Sequence, residues 1–325
     1  LQLILLKNVW VNNTDYLSTK FKTNLQSSNI LKITIGIPAY NEEKNIASII
    51  TKLKNITDSI IVCDDGSSDM TSEISKNLGA IVISHKKNMG YGVAINSIFQ
   101  KSKELNVDLL VTFDADGQHR VEDIQKVIEP IKNNVADLVI GSRFLDQNQQ
   151  QIPSYRRAGI KIITKLANTT LDKTITDSQS GFRAYNSNVL SEIIPLEHGM
   201  GVSNEILIKA NKKGFTISEV PIVVSYQGDT STHNPVSHGA SVIFSTLNII
   251  SIENPLKLYG IPGCIFLAIG LFFTVLTIQD FTETQQILLS TAIIGTGTII
   301  FGTILLMTAI ILYSVVNLIR ERKKH

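Results

Sequence analysis

The pattern of hydrophobic and polar positions divides the chain into an alternating part and an apolar carboxyl-terminal part. Up to about residue 235, short runs rich in β-branched residues alternate with longer mixed segments, which is typical of βαβ units around a largely parallel sheet. The pattern predicts strands at Ile33–Ile37, Ser59–Cys63, Ala80–Ser84, Leu109–Phe113 and Asp137–Ile140. It predicts helices at Lys44–Lys54, Met70–Leu78, Tyr91–Leu105, Val121–Lys132 and Tyr155–Thr169. The expected fold class is therefore α/β.

The carboxyl-terminal part holds two long stretches without a charged residue. They run from Leu258 to Ile278 and from Ile287 to Ile319. Each reaches the roughly 20 apolar residues, at about 1.5 Å per residue, that a helix needs to cross a bilayer. A buried core helix is the alternative, but two such stretches in succession are hard to bury in a soluble domain. We therefore expect a two-helix transmembrane hairpin.

Basic residues flank this predicted hairpin on its outer sides. Lys257 precedes the first stretch and the basic segment 320–324 follows the second, whereas the connecting loop holds Asp280 and Glu283 but no Lys or Arg. The positive-inside rule then predicts a cytoplasmic-membrane protein with two spans, whose preceding domain and both termini are cytoplasmic.

These patterns predict four segments along the chain. Residues 1–30 form an extension rich in Asn, Ser, Thr and Lys, and residues 31–235 form the α/β domain. Residues 236–254 mix apolar and polar positions, as in one or two amphipathic helices that lie in the membrane interface. A helix packed on the soluble domain is the alternative for that segment. Residues 255–325 hold the two transmembrane helices and a basic cytoplasmic tail.

Overall composition narrows the classes of partner. Lys and Arg number 30 against 28 Asp and Glu, so no global basic field indicates a nucleic-acid partner. The two cysteines, Cys63 at a strand end and Cys264 inside the first apolar stretch, are not placed to pair. The chain is therefore expected to be reduced and to face the cytoplasm.

An acidic motif follows the predicted strand at Leu109–Phe113. It reads Asp114-Ala115-Asp116-Gly117-Gln118-His119. The carboxyl ends of strands in open α/β sheets are where ligands bind. Two carboxylates spaced i, i+2, with an amide oxygen two residues on, suit Mg²⁺ or Mn²⁺ held against a diphosphate. A solvated acidic turn is the alternative for an isolated Asp-x-Asp.

Polar motifs occur at other predicted strand ends and at a helix entry. They are the segments 38–43 (PAYNEE), 64–69 (DDGSSD) and 87–92 (KNMGYG). The adjacent Asp64 and Asp65 repel each other unless a ligand or cation relieves them, whereas Asp69 is a plausible helix N-cap. No Walker A motif and no dinucleotide-binding glycine motif follows the first strand. A nucleotide site here is expected to be acidic and metal-bridged.

Taken in order, these motifs resemble the family 2 glycosyltransferases of GT-A fold. Further motifs at 141–144 (GSRF), 179–183 (QSGFR) and 219–222 (EVPI) are similar to the polyprenyl-phosphate branch, the relatives of dolichol-phosphate mannose synthase. The segment 234–239 (NPVSHG), followed by two spans, is similar to archaeal members. The resemblance covers about residues 31–319 and implies a Rossmann-like, mostly parallel catalytic domain.

The resemblance also implies roles for particular residues. The nucleotide-sugar would be bound by Pro38, Ala39, Tyr40, Glu42, Asp65, Asn88, Asp114, Ala115 and Asp116, with Asp65 hydrogen-bonding the base. The cation would be held by Asp114, Asp116 and Gln118, and the lipid phosphate by Arg143, Arg156 and Arg157. The catalytic residues would be Asp116, Arg143, Asp177 and Arg183, and Glu205 would lie near the sugar and the acceptor. Ordinary surface charge is the alternative for the three phosphate-binding arginines.

The implied function is metal-dependent transfer of one sugar from a nucleotide-sugar to polyprenyl or dolichyl phosphate, for protein glycosylation or surface-glycan assembly. UDP-glucose or UDP-N-acetylglucosamine is the favoured donor, and GDP-mannose is the alternative. The expected partners are donor, lipid phosphate and membrane, with a homo-oligomer through the membrane helices as a further option. Transfer to a saccharide or other hydroxyl, or a catalytically idle membrane scaffold, are the alternatives. A processive synthase is disfavoured, because its Gln-x-x-Arg-Trp motif is absent and the only tryptophan is Trp10.

One segment departs from the family pattern. Members often place Arg or Lys after the tyrosine that follows Glu-Val-Pro, whereas Tyr226 here is followed by Gln227 and Gly228. Only His233 and His238 could supply positive charge in that loop.

Overall fold

The computed structural model describes residues 31–145, 152–224 and 235–322, and all structural statements below concern these residues. The predicted extension 1–30 and the loop that holds Tyr226 and His233 lie outside them, as does the side chain of His238.

A seven-stranded sheet forms the centre of the domain. Its strands are β1 (Ile33–Ala39), β2 (Ile60–Asp64), β3 (Ile81–Ser84), β4 (Leu109–Thr112), β5 (Leu138–Ser142), β6 (Arg183–Asn186) and β7 (Ile217–Pro221). Their order is β3-β2-β1-β4-β6-β5-β7. Only β6 runs antiparallel, between β4 and β5, and the other pairs are parallel. The predicted mostly parallel α/β fold is confirmed.

Helices alternate with the strands and then continue alone to the carboxyl-terminal end. Around the sheet lie α1 (Glu43–Leu53), α2 (Thr71–Asn77), α3 (Tyr91–Glu104), α4 (Ile124–Lys132), α5 (Ser154–Asn168), α6 (Ser187–Glu192) and α7 (Val202–Lys212). A 3-10 turn at Val121–Asp123 precedes α4. Beyond the sheet follow α8 (Pro235–Glu253), a π-helical turn (Leu256–Gly260), α9 (Ile261–Thr284) and α10 (Leu289–Arg322).

The predicted strands and helices of the α/β part are all present, and their bounds differ by two residues or fewer, except that the helix predicted from Val121 begins at Ile124, after the 3-10 turn. The pattern does not predict β6, β7, α6 or α7. Strand β6 has four residues and begins with Arg183, and β7 contains Glu219 and Pro221, so neither is a continuous apolar run. Both strands depend on pairing with neighbours that are distant in the sequence.

Both faces of the sheet are covered by helices. Consecutive residues of β4 pack on opposite faces of the sheet. Leu109 and Val111 pack with α1 and α4 on one face, whereas Leu110 packs with α3 and α7 on the other. This alternation follows from the two-residue period of a strand, and it explains why the central strands are apolar throughout. Each fully buried Leu or Ile side chain contributes roughly 1.5–3 kcal/mol to stability. The sheet is therefore a rigid platform for the loops at its edge.

The sheet register brings the polar motifs to one edge. Ala39 at the end of β1 pairs with Asp64 at the end of β2, and Gly36 pairs with Thr112 at the end of β4. Because β6 is antiparallel, it begins at this same edge, where Arg183 pairs with Thr112. The segment that precedes β6 therefore meets the loops that follow the parallel strands.

Helix α8, which corresponds to the predicted interface segment, is a single helix that packs on the domain. Asn204 of α7 donates to Thr246 Oγ1 of α8 at 2.6 Å, and both side chains are fully buried. Another side of the helix exposes Phe244, Leu247 and Ile252. The helix thus contacts the domain on one side and presents large apolar side chains on another.

Two helical segments beyond α8 are long and apolar enough to cross a membrane. They span Leu256–Thr284 and Leu289–Ile319, with mean hydropathies of 2.4 and 2.5. The two helices pack against each other through glycines. A Cβ atom on Gly302 would lie 2.9 Å from the carbonyl oxygen of Gly263 and 2.9 Å from the amide nitrogen of Leu267. A Cβ on Gly270 would lie 2.8 Å from the amide nitrogen of Ile299.

We expect Gly302→Leu to destabilise the α9–α10 pair. The added side chain has no room against the α9 backbone, and overpacking costs about 1–3 kcal/mol. Thermal unfolding of the detergent-solubilised protein measures the effect as a lowered Tm. Gly297→Leu is the matched control on the same helix, because a Cβ at Gly297 meets no atom within 4 Å. Equal Tm values for the two variants would contradict close glycine-mediated packing.

Candidate active site

A cleft with two lobes lies at the carboxyl edge of the sheet. The lobe beside the end of β1, which we name the β1 lobe, has a volume of about 500 Å³. The lobe beside α5, the α5 lobe, has a volume of about 330 Å³. Residues that line both lobes are Tyr91, Asp114, Asp116, Met200 and Val242. The two acidic residues therefore stand where the lobes meet.

The β1 lobe brings together the residues predicted to bind a nucleotide-sugar. All of the predicted residues line this lobe: Pro38, Ala39, Tyr40, Glu42, Asp65, Asn88, Asp114, Ala115 and Asp116. Tyr40 is 48% exposed, so its ring is available to a ligand. The far wall is formed by the segment 199–201 and by Ser241 and Ser245 of α8. The assigned binding roles remain predictions.

The α5 lobe combines basic and apolar side chains. Arg143 and Arg156 line it together with Ile160 and Ile163 of α5. Gln118, predicted as a cation ligand, also lines it. Arg157, by contrast, lines neither lobe and donates to the carbonyl oxygen of Ile152 at 3.1 Å. The lobe thus offers positive charge beside an apolar wall.

Asp114 is held by two donors from neighbouring elements. Tyr91 donates its hydroxyl to Oδ1 at 3.1 Å, and His119 Nε2 lies 3.3 Å from Oδ2. Burial opposes ionisation of this carboxyl, but the hydrogen bonds from His119 and Tyr91 outweigh it, so the pKa of Asp114 lies below its usual value. Burial also raises the pKa of Tyr91 well above its usual value, so its hydroxyl keeps the proton that it donates.

Asp116 has the opposite electrostatic environment. Partial desolvation in the cleft and repulsion by Asp114 raise its pKa above the usual value. Its Oδ1 accepts a hydrogen bond from the backbone N–H of Gln118 at 3.0 Å, across a turn in which Gly117 has a φ of 72°. Desolvation, with repulsion from Asp116 and Asp114 among the further causes, likewise raises the pKa of Glu42. The junction is therefore a place where negative charge accumulates.

The donor set at this junction fits a cation shared with a ligand. Among the described residues, no group of three or more His, Cys, Asp or Glu side chains could hold a metal by itself. Magnesium is commonly bound by one or two carboxylates together with substrate phosphates rather than by an all-protein cage. Asp114 and Asp116 supply the two carboxylates of such a site, and phosphate oxygens of a bound ligand would supply the remaining oxygen ligands.

Gly181 allows the segment before β6 to approach Asp114. A Cβ atom at this position would lie 2.5 Å from the Tyr91 hydroxyl and 2.7 Å from Asp114 Oδ2. Real Cβ atoms essentially never come that close to another heavy atom. The glycine is therefore a condition for the Tyr91–Asp114 geometry.

Hydrogen-bond donors of the protein contact both carboxylates of the acidic doublet. Asp64 accepts from the backbone N–H of Ser67 at 3.0 Å, within the turn after β2. Asp65 accepts from the backbone N–H groups of Met89 and Gly90 at 3.0 and 2.8 Å. Its Oδ1 also lies 2.6 Å from His85 Nδ1. These protein donors offset the repulsion within the doublet, and Asp65 also lines the β1 lobe.

Asp69 is not the N-cap of α2, because the residue in that position is Met70. Asp69 Oδ1 instead accepts from the backbone N–H of Thr71 at 3.0 Å, and Oδ2 accepts from that of Glu43 at 3.1 Å. These bonds lower the pKa of Asp69 despite an opposing contribution from burial. The carboxylate thereby joins the first turns of α1 and α2.

Arg143 lines the α5 lobe and also forms an ion pair with the buried Asp177. Its Nε and Nη2 donate to the two oxygens of Asp177 at 2.6 and 2.8 Å. Burial opposes the charge of Asp177, but Arg143 outweighs it and lowers the pKa of this fully buried carboxyl. Glu219 in turn accepts from the backbone N–H groups of Thr176 and Asp177. Asp177 lines neither lobe, so it positions Arg143 rather than facing the cleft.

Arg183 and Glu205, both predicted near the chemistry, are buried anchors of backbone segments. Arg183 is 1% exposed and donates to the carbonyl oxygens of Ser178, Ser180 and Ser203, each at 2.8 Å. Glu205 accepts from the backbone N–H groups of Leu196 and Glu197. Neither residue lines either lobe.

Sequence reasoning did not select several residues that line the cleft or support it. Tyr91 lies within the glycine-bearing segment 87–92, so this motif could have indicated it as a site residue. His119 ends the acidic motif, and its ring lies 5.2 Å from that of Phe182. Met200 and Val242 reach the cleft through the packing of distant segments, for which the sequence carries no local signal.

Comparison with known proteins identifies relatives of the chain. The model described as "Glycosyl transferase family 2" matches residues 34–194. The UDP-N-acetylglucosamine–dolichyl-phosphate N-acetylglucosaminyltransferase of Methanococcus voltae is 38% identical over 216 residues, 60% of this chain and 86% of that protein. The dolichyl-phosphate hexose transferase of Haloferax volcanii is 32% identical over 228 residues, 70% of this chain and 96% of that protein.

A solved structure shares the fold. It is glucosyl-3-phosphoglycerate synthase from Mycobacterium tuberculosis in complex with Mn²⁺ and UDP-glucose. The TM-score is 0.53 at 22% identity, with 67% of this chain and 79% of that chain covered. The likeness supports the GT-A architecture.

We expect Gly181→Ala to reduce turnover by at least about 100-fold, because the added methyl group displaces Tyr91 or Asp114 from the junction. Circular dichroism checks that the fold is retained, and a sugar-transfer assay gives the rate. Gly297→Ala is the control for a glycine-to-alanine change and should keep the wild-type rate, because a Cβ at Gly297 meets no atom within 4 Å. A rate near that of the wild type would show that the junction tolerates the displacement.

Asp177→Asn is expected to lower stability at neutral pH by about 3 kcal/mol, because it removes the buried carboxylate charge that faces the Arg143 guanidinium. The folded-state pKa of Asp177 is depressed, so the pair stabilises the protein above the unfolded-state pKa and loses this effect as pH falls through the folded-state value. Thermal unfolding between pH 7 and pH 3 should show the difference from wild type shrinking with acid. The exposed Asp172→Asn is the control; a pH-independent difference would argue against the pair.

Proposed function

The chain belongs to glycosyl transferase family 2, and we propose that it transfers one sugar from a nucleotide-sugar to a polyprenyl phosphate of the dolichyl type. The observation that carries the proposal is the two-lobed cleft. Its lobes meet at Asp114 and Asp116, so a donor in one lobe and an acceptor in the other would present their reacting groups at the same point.

The β1 lobe is proposed to bind the donor. Its volume suits a nucleotide-sugar. Tyr40 offers an exposed ring for the base, and Asp65 offers a carboxylate acceptor. The relative from Methanococcus voltae is named as an N-acetylglucosaminyltransferase that uses a UDP-sugar, and the relative from Haloferax volcanii is named as a hexose transferase. We therefore favour UDP-N-acetylglucosamine or UDP-glucose, with GDP-mannose as the alternative.

The α5 lobe is proposed to bind the acceptor. Arg143 and Arg156 would contact the phosphate, and Ile160 and Ile163 would contact the first apolar groups of the lipid. Asp177 holds two donor groups of Arg143, so this guanidinium is oriented before an acceptor arrives. Helix α8 borders the lobe and ends at Glu253, just before the first membrane-length segment. A lipid anchored in the bilayer could therefore reach the lobe.

The proposed reaction needs no general base from the protein. A lipid phosphate is already anionic at neutral pH, and one of its oxygens attacks the anomeric carbon of the sugar. The new carbon–oxygen bond forms as the bond from that carbon to the donor diphosphate breaks, and the nucleoside diphosphate leaves with the bonding electrons. The residues of the cleft contribute by orienting the two phosphates in line.

A divalent cation is proposed as part of the donor complex. Asp114 and Asp116, with Gln118, would hold Mg²⁺ or Mn²⁺, since all three line the α5 lobe and two carboxylates suit a cation shared with a diphosphate. When bound, such a cation stabilises the negative charge that develops on the leaving diphosphate.

The proposed location is the cytoplasmic membrane, with the catalytic domain and both ends of the described chain on the cytoplasmic side. The two apolar segments and the basic residues that flank them support this topology. A homo-oligomer through the membrane helices remains a prediction.

A donor screen tests the function. The purified protein in detergent receives a polyprenyl phosphate, Mg²⁺ or Mn²⁺, and radiolabelled UDP-glucose, UDP-N-acetylglucosamine or GDP-mannose separately. We expect one UDP-sugar to move label into the organic phase. Hydrolysis of a donor without label in the organic phase would leave the family intact and refute the lipid acceptor.

Asp116→Ala should lower the transfer rate at least about 100-fold, because the diphosphate loses part of its cation site. The exposed Asp58→Ala is the matched control and should keep the wild-type rate. A near-wild-type rate for Asp116→Ala in Mg²⁺ would refute the role assigned to the junction.

A further inference from the structure

His85 lies in a buried cluster that the proposed chemistry does not use. The imidazole follows β3, and its side chain is 10% exposed. Nδ1 lies 2.6 Å from Asp65 Oδ1, and Nε2 lies 2.9 Å from the hydroxyl of Ser97 on α3. Cys63 Sγ lies 3.6 Å from the same Nε2. The imidazole is thus held from both sides while it contacts a residue of the β1 lobe.

The tautomer of His85 follows from these partners. An ionised carboxylate only accepts hydrogen bonds, so Nδ1 carries the proton that bonds to Asp65. Nε2 can then accept the proton of the Ser97 hydroxyl. Burial, with the charge of Asp65 adding, raises the pKa of the Cys63 thiol to about 12, so this neighbour stays neutral. His85 is therefore a fixed donor to Asp65.

The contacts of Asp65 leave it one acceptor position. A carboxylate offers about four lone-pair positions, two on each oxygen. Oδ1 accepts from His85 and from the Met89 N–H, so both of its positions are used. Among the residues that the structure describes, Oδ2 accepts from the Gly90 N–H alone. A bound ligand can therefore donate one hydrogen bond to Asp65, and that bond is made to Oδ2.

Pyrimidine and purine bases differ in the donors that they would present to this carboxylate. Uracil carries one ring N–H between two carbonyl groups, which matches a single acceptor. Guanine carries a ring N–H beside an exocyclic amino group, and this pair of donors suits a carboxylate with both oxygens free. With Oδ1 filled, one guanine donor would be left unpaired in the lobe, which is unfavourable.

We propose that His85 is a positioning residue for base selection: by occupying Asp65 Oδ1, it makes the β1 lobe prefer a uracil nucleotide over a guanine nucleotide. This inference rests on the proposed function for the assignment of the β1 lobe to the donor. It adds a residue and a physical cause for the choice of donor.

Binding of the nucleoside diphosphates tests the inference without any lipid. The purified full chain in detergent is titrated by calorimetry with UDP and with GDP, each with Mn²⁺. We expect UDP to bind about tenfold tighter or more, because one unpaired donor opposes GDP. Equal or tighter binding of GDP overturns the proposal.

Variants of His85 separate selection from folding. His85→Ala opens a position on Oδ1, so the ratio of the two dissociation constants should fall to within about threefold. His85→Asn keeps an N–H near the place of Nδ1 and should restore the wild-type ratio. Lys86→Ala, at the exposed neighbouring position, should leave the ratio unchanged. An unchanged ratio in His85→Ala would refute the role of His85.

If His85→Ala does not fold, His85→Leu removes the donor to Oδ1 while it fills more of the space of the imidazole, and it should lower the ratio in the same way. An unchanged ratio in His85→Leu then counts against the inference. Lipid labelling is a separate measurement: preferred UDP binding without lipid product contradicts the proposed acceptor, whereas lipid product made from GDP-mannose contradicts this inference alone.

Discussion

The antiparallel strand β6, inserted between β4 and β5, is the constraint on which the cleft depends. Its pairing of Arg183 with Thr112 starts the strand at the ligand edge of the sheet. The segment before it therefore arrives beside Asp114, at a distance that only Gly181 permits. An all-parallel arrangement would send that segment to the opposite edge, and the two lobes would lose their common junction.

Carboxylates that accept backbone N–H groups hold the loops around this junction. Asp65 fixes the entry to α3, Glu219 fixes the turn that carries Asp177, and Glu205 fixes the segment after residue 195. An acidic side chain is suited to this use because a carboxylate accepts several hydrogen bonds and each is strengthened by its charge. Much of the acidity near the cleft thus serves preorganisation, while Asp114 and Asp116 face the ligand space.

Helix α8 connects the cleft to the apolar carboxyl-terminal helices. Val242 lines both lobes, and the buried Asn204–Thr246 hydrogen bond joins the helix to α7. A few residues further on, the chain enters the first membrane-length segment. The same helix therefore forms a wall of the cleft and fixes how the domain meets the apolar helices, which suits the proposed lipid acceptor.

The sequence by itself determined the α/β class, the central strands, the two apolar helices and the strand-end motifs, because these depend on local periodicity and on residues adjacent in the chain. Only the tertiary structure decided which of those residues face the cleft. Arg183 belongs to a motif as plain as that of Asp114, yet Arg183 and Asp177 are both buried supports. His85, Met200 and Val242 acquire their places through contacts between distant segments. Burial and hydrogen-bond partners depend on packing, which no local pattern encodes.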